Sequence, residues 1–232
     1  MIIRRNSDSF VCIRQPDHAK LAAIIISAWQ RDGFPTHARR DVILLAAREH
    51  DNGWLEEDAD THVAPDGTPL DFVAVPAAAK HRIWPRAVGR LAPVDSYAAA
   101  LVAEHALTVH ADHRSKPEWQ AFFQTMEAQR GAALARTGRE PDRDFTADYA
   151  FVNMADFLSL VFCNGWTERF DHAGYTVQLT GRELTVTPSA FNEPLPLRIL
   201  ARRVLARPYA SASEFRAALD EADIEMVEGV VR

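Results

Sequence analysis

Ligand-type side chains interrupt the apolar faces of the helices that this sequence predicts. His18 shares one helical face with residues that follow it by three, four, seven and eleven positions: Leu21, Ala22, Ile25 and Trp29. The same kind of spacing puts His50, His105 and Asp156 on apolar faces. Buried imidazoles and carboxylates are costly unless they share a partner, and one metal ion satisfies all of them. The sequence therefore predicts helices that converge on a metal site.

The adjacent pair His50-Asp51 adds a geometric condition. Consecutive helical side chains diverge by about 100°, so both can reach one ion only if that ion lies beside the helix. A single inward histidine is usually a core residue that is bonded to a carbonyl. Four helices that each direct a ligand-type side chain inward favour a shared ion instead.

The candidate ligands follow one another in the order His18, His50-Asp51, Asp156 along the predicted helices. This order resembles the metal-binding arrangement of the HD superfamily, in which these positions hold a divalent metal. The resemblance therefore implies that these four residues are ligands. Binuclear members add two histidines between the doublet and the last aspartate, and His81 and His105 match those positions.

Most of the chain also resembles a bacterial HD-like family that is classified as a domain of unknown function. Four segments carry this resemblance: Gln15-Pro-Asp-His18, Glu49-His-Asp-Asn-Gly-Trp54, Gly67-Thr-Pro-Leu-Asp-Phe72 and Asp156-Phe-Leu-Ser-Leu-Val-Phe-Cys163. The chain departs from the family where a second tryptophan is common, because Glu57 stands before Asp58. The resemblance implies no established reaction, so the function has to be argued from the site.

Length and patterning predict the architecture. At 232 residues, of which 47% are apolar, the chain fits a single domain over residues 1–232. Helices are predicted at about 16–30, 39–51, 95–112, 116–137 and 146–164, and alternating hairpin patterns occur near both ends. The expected fold is mainly α within the α+β class. It consists of an HD-like helical bundle over about 15–165 and a small β-sheet formed by the N-terminal hairpin, about 1–14, and C-terminal strands, about 172–232.

Composition excludes several classes of function. The formal net charge of −6 opposes general attraction to nucleic acid. The longest apolar run, Leu21 to Trp29, is too short to span a bilayer, and the first residues lack the apolar core of a signal peptide, so a cytoplasmic protein is expected. Cys12 and Cys163 are the only cysteines, which indicates neither a disulfide framework nor a thiolate zinc site.

The leading functional hypothesis is metal-dependent hydrolysis of a small phosphoester. Mixed imidazole and carboxylate ligands suit one or two ions of Mn, Fe, Co, Ni or Zn and leave positions for water and a phosphate oxygen. Asp51 would act as ligand and catalytic residue, while Lys80 or Arg82 would offset developing negative charge. His105 would bind a second ion or the phosphate, and the expected substrate is a small phosphorylated anion.

Two alternatives remain open at this level. Some HD-superfamily members use the set His, His-Asp, His, His, Asp to hold two irons and activate dioxygen, so a non-haem di-iron oxygenase has the same ligand order. A non-catalytic protein whose metal only stabilises a ligand-binding or partner-binding fold is the third reading. A homo-oligomer is compatible with each of them.

Overall fold

The computed structural model describes residues 1–232 and contains eight α-helices and seven β-strands. In chain order the elements are β1 (Ile2–Arg5), β2 (Ser9–Ile13), α1 (Gln15–Ser27), α2 (Arg40–Glu49), α3 (Leu55–Ala59), α4 (Ala77–Leu91), α5 (Ser96–Val109), α6 (Gln120–Ala135), α7 (Arg143–Asn164), β3 (Arg169–His172), β4 (Tyr175–Thr180), β5 (Glu183–Thr187), β6 (Leu195–Leu205), α8 (Ala212–Glu221) and β7 (Ile224–Val231). None of the helices combines the length and the apolarity that a membrane-crossing segment needs.

Capping groups fix where the principal helices begin and end. The Asp95 side chain accepts a hydrogen bond from Ala98 N at 2.8 Å and starts α5, and Asp142 does the same for α7 through Phe145 N at 2.8 Å. Helix α7 ends at Gly165, whose φ of +70° lets its N–H turn back to the carbonyl of Val161 at 3.1 Å. These caps hold the two long helices that carry His105 and Asp156.

All seven strands join in one sheet with the order β1-β2-β6-β7-β5-β4-β3. Strand β6 is the longest and pairs antiparallel with both β2 and β7, while β5 and β7 form a parallel pair. Alternate β6 side chains, Leu197, Ile199 and Ala201, are buried under the helices. The sheet is therefore the second layer of the molecule, packed against α1 and α7.

The expectation of a mainly α, HD-like helical bundle with a small accessory sheet is wrong. About half of the residues are helical, and the sheet has seven strands of mixed direction, so the fold is a substantial α+β fold. The two predicted hairpins exist as β1-β2 and β4-β5. The sheet is larger than expected because the 11-residue strand β6 pairs on both edges, with β2 and with β7, and β7 in turn pairs parallel with β5.

Helix α4 was not predicted, and it shapes the site. Pro85 lies inside it, and proline removes a helical hydrogen bond and normally interrupts a helix. Its apolar face, which includes Ile83, Trp84 and Val88, is nonetheless buried in the core. Tertiary packing therefore maintains a helix that the local sequence disfavours.

Gly53 lets the segment after the His50-Asp51 doublet contact α4 closely. A Cβ atom at this position would lie 2.1 Å from the backbone oxygen of Ile83 and 3.1 Å from the Cβ of Ala87. Only glycine fits against a backbone at that distance. This contact fixes the position of the doublet relative to α4.

Candidate metal centre

Five ligand-type side chains from four helical segments meet in the core. His18 lies in the first turns of α1, His105 lies in α5, and Asp156 lies in the middle of α7. His50 is the residue at which α2 ends, and Asp51 follows it in the turn. All five are buried, and His18 and His50 have no exposed surface.

Four of these side chains direct one atom each toward a common centre. His18 Nε2 lies 3.2 Å from His50 Nε2, 3.4 Å from Asp51 Oδ2 and 3.1 Å from Asp156 Oδ1. His50 Nε2 lies 3.4 Å from Asp51 Oδ2 and 3.3 Å from Asp156 Oδ1. These distances define two triangles that share the edge between the two Nε2 atoms: one triangle closes on Asp51 Oδ2 and the other on Asp156 Oδ1.

The size of each triangle suits a metal ion. A point equidistant from three atoms with such separations can lie about 2 Å from each of them, which is the bond length that zinc makes to nitrogen and oxygen ligands. His105 extends the group, because its Nε2 lies 3.7 Å from Asp156 Oδ2. The ligand atoms form two sets that could each hold an ion: His18, His50 and Asp51, and His50, His105 and Asp156.

The other ring nitrogen of each histidine is held from outside the cluster. His50 Nδ1 donates to the carbonyl of Ala47 at 2.8 Å, and His18 Nδ1 bonds to the hydroxyl of Ser159. His105 Nδ1 lies 3.2 Å from the hydroxyl of Tyr149. Partners of this kind fix the ring orientation of metal-binding histidines and leave the Nε2 atoms directed inward.

The electrostatics of the cluster require positive charge between the two aspartates. Burial alone would lower the pKa of His50, but Asp51 and Asp156 outweigh that effect and raise the pKa to about 9. Burial would likewise raise the pKa of Asp156, yet the histidines hold this pKa well below its usual range. By contrast, burial dominates at His105 and lowers its pKa to about 4. Two ionised carboxylates therefore face the centre.

A cavity of about 360 Å³ opens onto this cluster. His18, Asp51, His105 and Asp156 line it together with aromatic side chains that include Trp54, Phe72 and Trp84. Two other cavities, of about 310 and 750 Å³, contain none of the five cluster residues. The cluster thus has access to a space of ligand size on one side and is closed by the core on the other.

The structure does not bring His81 or Arg82 to the cluster, which corrects their predicted roles. His81 lies in α4 with its ring 4.7 Å from that of Trp119 and 5.3 Å from that of Phe122. Arg82 bonds to Glu57 at 3.1 and 3.3 Å, because that buried carboxylate needs a cationic partner. Lys80 does line the cavity, where its Nζ donates to the carbonyl of Val73 at 2.7 Å.

Sequence reasoning missed most of the cavity wall, including its other polar residues Gln15, His110 and His113. Trp84 also lines the cavity, and its Nε1 donates to His110 Nε2 at 2.8 Å. Three histidines within nine residues, at positions 105, 110 and 113, were the available signal. Helical periodicity does not reveal them, because α5 ends at Val109 and the two later histidines follow in a turn.

Removal of the Ser159 hydroxyl should weaken metal binding without loss of the fold. Ser159 is fully buried, and in Ser159→Ala the Nδ1 atom of His18 loses its partner. Loss of such an outer partner lowers metal affinity by about 10–100-fold. Competition with a chelator would measure the change. The control is Ser27→Ala, which removes an exposed hydroxyl from α1, the helix that carries His18. Equal affinities in the two variants would contradict the prediction.

The fold and the cluster together define an α+β protein with a buried histidine and aspartate group that could hold a metal ion beside a cavity. The chain belongs to the family described as "Protein of unknown function (DUF3891)", which it matches over residues 1–206. No curated protein and no solved structure matches it.

Proposed function

We propose that this protein is a metal-dependent phosphohydrolase that acts on a small phosphoester. The observation that carries the proposal is that His18 Nε2 and His50 Nε2 lie 3.2 Å apart and that each lies 3.1–3.4 Å from an oxygen of Asp51 and an oxygen of Asp156. These residues would hold the metal ion. Mixed nitrogen and oxygen ligands suit Mn, Fe, Co, Ni or Zn, in line with the donor set expected from the sequence.

A metal ion accounts for the cluster better than protons alone. His18 and His50 approach each other through their Nε2 atoms, and a separation of 3.2 Å leaves room for one proton between them. Protonation of both rings, which the aspartates favour, would balance the two ionised carboxylates, but it would place two cationic imidazoles 3.2 Å apart in a buried site, and this is costly. A divalent cation held by these residues would supply two positive charges without that repulsion.

The residues around the cavity support a small anionic substrate. A bound divalent ion would polarise a phosphoryl oxygen and supply activated water at neutral pH. Asp51, Asp156 and His105 face the cavity, so a substrate there can reach both the ion and the histidine. Lys80 keeps hydrogens of its ammonium group free beyond its bond to Val73 and would attract the anion.

A relationship to the HD superfamily is part of this proposal. It is supported by the order of the proposed ligands along the chain, His18, then His50-Asp51, then Asp156. The architecture gives it no support, because the seven-stranded sheet differs from an all-helical bundle. The reaction is therefore argued from the ligand set and the cavity alone.

The oxygenase alternative has less support than hydrolysis. Its ligand set includes two histidines between the doublet and Asp156, and of the two candidates only His105 lies in the cluster, since His81 packs against Trp119 and Phe122. His110 belongs to neither set of atoms that could hold an ion. A non-catalytic metal-binding protein remains the outcome to be distinguished by experiment.

A metal and substrate screen tests the function. With Mn or Co supplied, the purified protein should hydrolyse a phosphomonoester or phosphodiester from a panel of nucleotides, cyclic nucleotides and sugar phosphates. Asp51→Ala should reduce this turnover to background, because one oxygen ligand is lost. The matched control is Asp41→Ala, which removes an exposed carboxylate from α2 and should leave turnover unchanged. A protein that retains metal but shows no turnover above the Asp51→Ala background would be a binding protein.

A further inference from the structure

The part of the cavity beyond the metal cluster has features of a recognition site. Its walls include the aromatic rings of Trp54, Phe72 and Trp84. Lys80 is the one lysine or arginine among its lining residues. Such a space suits an apolar, flat and uncharged group better than a second anionic group.

Gln15 lines this space and carries an unpaired hydrogen-bond acceptor. Its side chain lines the cavity, the residue is 2% exposed, and its Oε1 atom is buried without a hydrogen-bond partner. The backbone N–H of the same residue donates to Asp58 Oδ2 at 2.7 Å, which fixes its position at the start of α1. A buried polar atom without a partner is costly, so a ligand donor at this point would be stabilised.

His110 supplies a hydrogen-bond donor, because its ring is held in one tautomer. The indole N–H of Trp84 can only donate, so His110 Nε2 must accept at 2.8 Å and the neutral ring carries its hydrogen on Nδ1. Burial, with smaller contributions from Lys80 and nearby histidines, lowers the pKa of His110 to about 3, which keeps the ring neutral. Its Nδ1–H makes no hydrogen bond within the protein and is available to a ligand acceptor.

We propose that this cavity binds the organic part of the ester as an uncharged planar ring with polar substituents, and that Gln15 and His110 recognise those substituents. The inference rests on the proposed function, because the phosphoryl group would lie at the metal cluster and the ring among the aromatic walls. It assigns specificity to two residues that lie outside the proposed ligand set.

Phosphonates test this inference without turnover, because their carbon–phosphorus bond is not hydrolysed. Binding of methylphosphonate, phenylphosphonate and 4-carbamoylphenylphosphonate to the metal-loaded protein would be measured by calorimetry. The phenyl compound should bind about tenfold more tightly than the methyl compound, because binding removes the apolar surface of its ring from water. The carbamoyl group should increase the affinity by about a further fivefold, because it offers a hydrogen-bond donor and an acceptor.

Variants of the two polar residues separate recognition from general packing. In Gln15→Leu or His110→Phe, or in both, the gain from the carbamoyl group should disappear, while the ratio of phenyl to methyl binding and the metal content stay unchanged. Gln178→Leu, at an exposed position on β4, is the matched control and should retain the gain. If His110→Phe does not fold, the gain in affinity from the carbamoyl group in Gln15→Leu decides the outcome alone.

Equal binding of the methyl and phenyl compounds would overturn the inference. So would a carbamoyl gain that persists in both variants, or an absence of binding by all three phosphonates. A protein that binds the phosphonates in the expected order but hydrolyses no ester would refute the proposed function and leave this inference standing.

Discussion

His50→Ala should abolish metal retention and leave a folded protein of lower stability. His50 is fully buried and contributes to both sets of atoms that could hold an ion. Loss of a hydrogen-bond partner behind a ligand already lowers metal affinity by about 10–100-fold. Loss of a ligand that both sets share should therefore lower the metal affinity by more than about 100-fold. Elemental analysis of the purified variant would measure its metal content.

The fold should survive this change, because the surrounding core contains 55 buried apolar residues. The free energy of unfolding should fall by about 3 kcal/mol, since Asp51 and Asp156 lose a compensating partner in a buried site. His81→Ala is the matched control, because it removes a histidine that lies against Trp119 and outside the cluster. Wild-type metal content in His50→Ala, or loss of metal in His81→Ala, would contradict the proposed centre.

Gly53→Ala should destabilise the protein by about 3 kcal/mol, the upper end of the usual cost of overpacking. The new Cβ would lie 2.1 Å from the backbone oxygen of Ile83, and neither backbone segment can move without displacing the other. The shift should also displace Asp51 and lower the metal affinity. Chemical denaturation and metal titration of the same sample would measure both effects.

Gly89→Ala gives the comparison for this prediction. Gly89 lies in α4, the helix that Gly53 contacts, and a Cβ atom there would meet nothing within 4 Å. Alanine is favoured over glycine inside a helix by up to about 1 kcal/mol, so this variant should be as stable as the wild type or slightly more so. Equal stability of the two variants would show that the contact between Gly53 and Ile83 is not maintained in solution.

Helical periodicity predicted most of the helical body. The apolar faces around His18, His50, His105 and Asp156 are strongly patterned, and each of these side chains is buried. Because a face on a helix is a local property, the sequence alone indicates which way the side chain points. Their convergence on one centre was a hypothesis, inferred from the cost of burying ligand-type side chains on four helices without a shared partner.

The parts that were not predicted depend on contacts between distant segments. Helix α4 contains Pro85 and is held by its buried face, so local propensity gives no signal for it. His81 and Arg82 were assigned from their position in the sequence, but the packing of α4 directs them to Trp119 and Glu57. The extent of the sheet was missed for the same reason, since hairpin patterns do not show which strands pair across the chain.

The position of β6 has a consequence for the order in which the chain is synthesised. Strand β2, with the apolar sequence Phe10-Val-Cys-Ile13, pairs on one edge with β1 and on the other with residues 202–205 of β6. On the ribosome, that second edge therefore has no native neighbour until residues 202–205 have emerged. An unpaired apolar strand edge is a site of association between chains. We therefore expect nascent copies of this protein to aggregate less when the sheet closes soon after these residues emerge, or when a chaperone covers this edge.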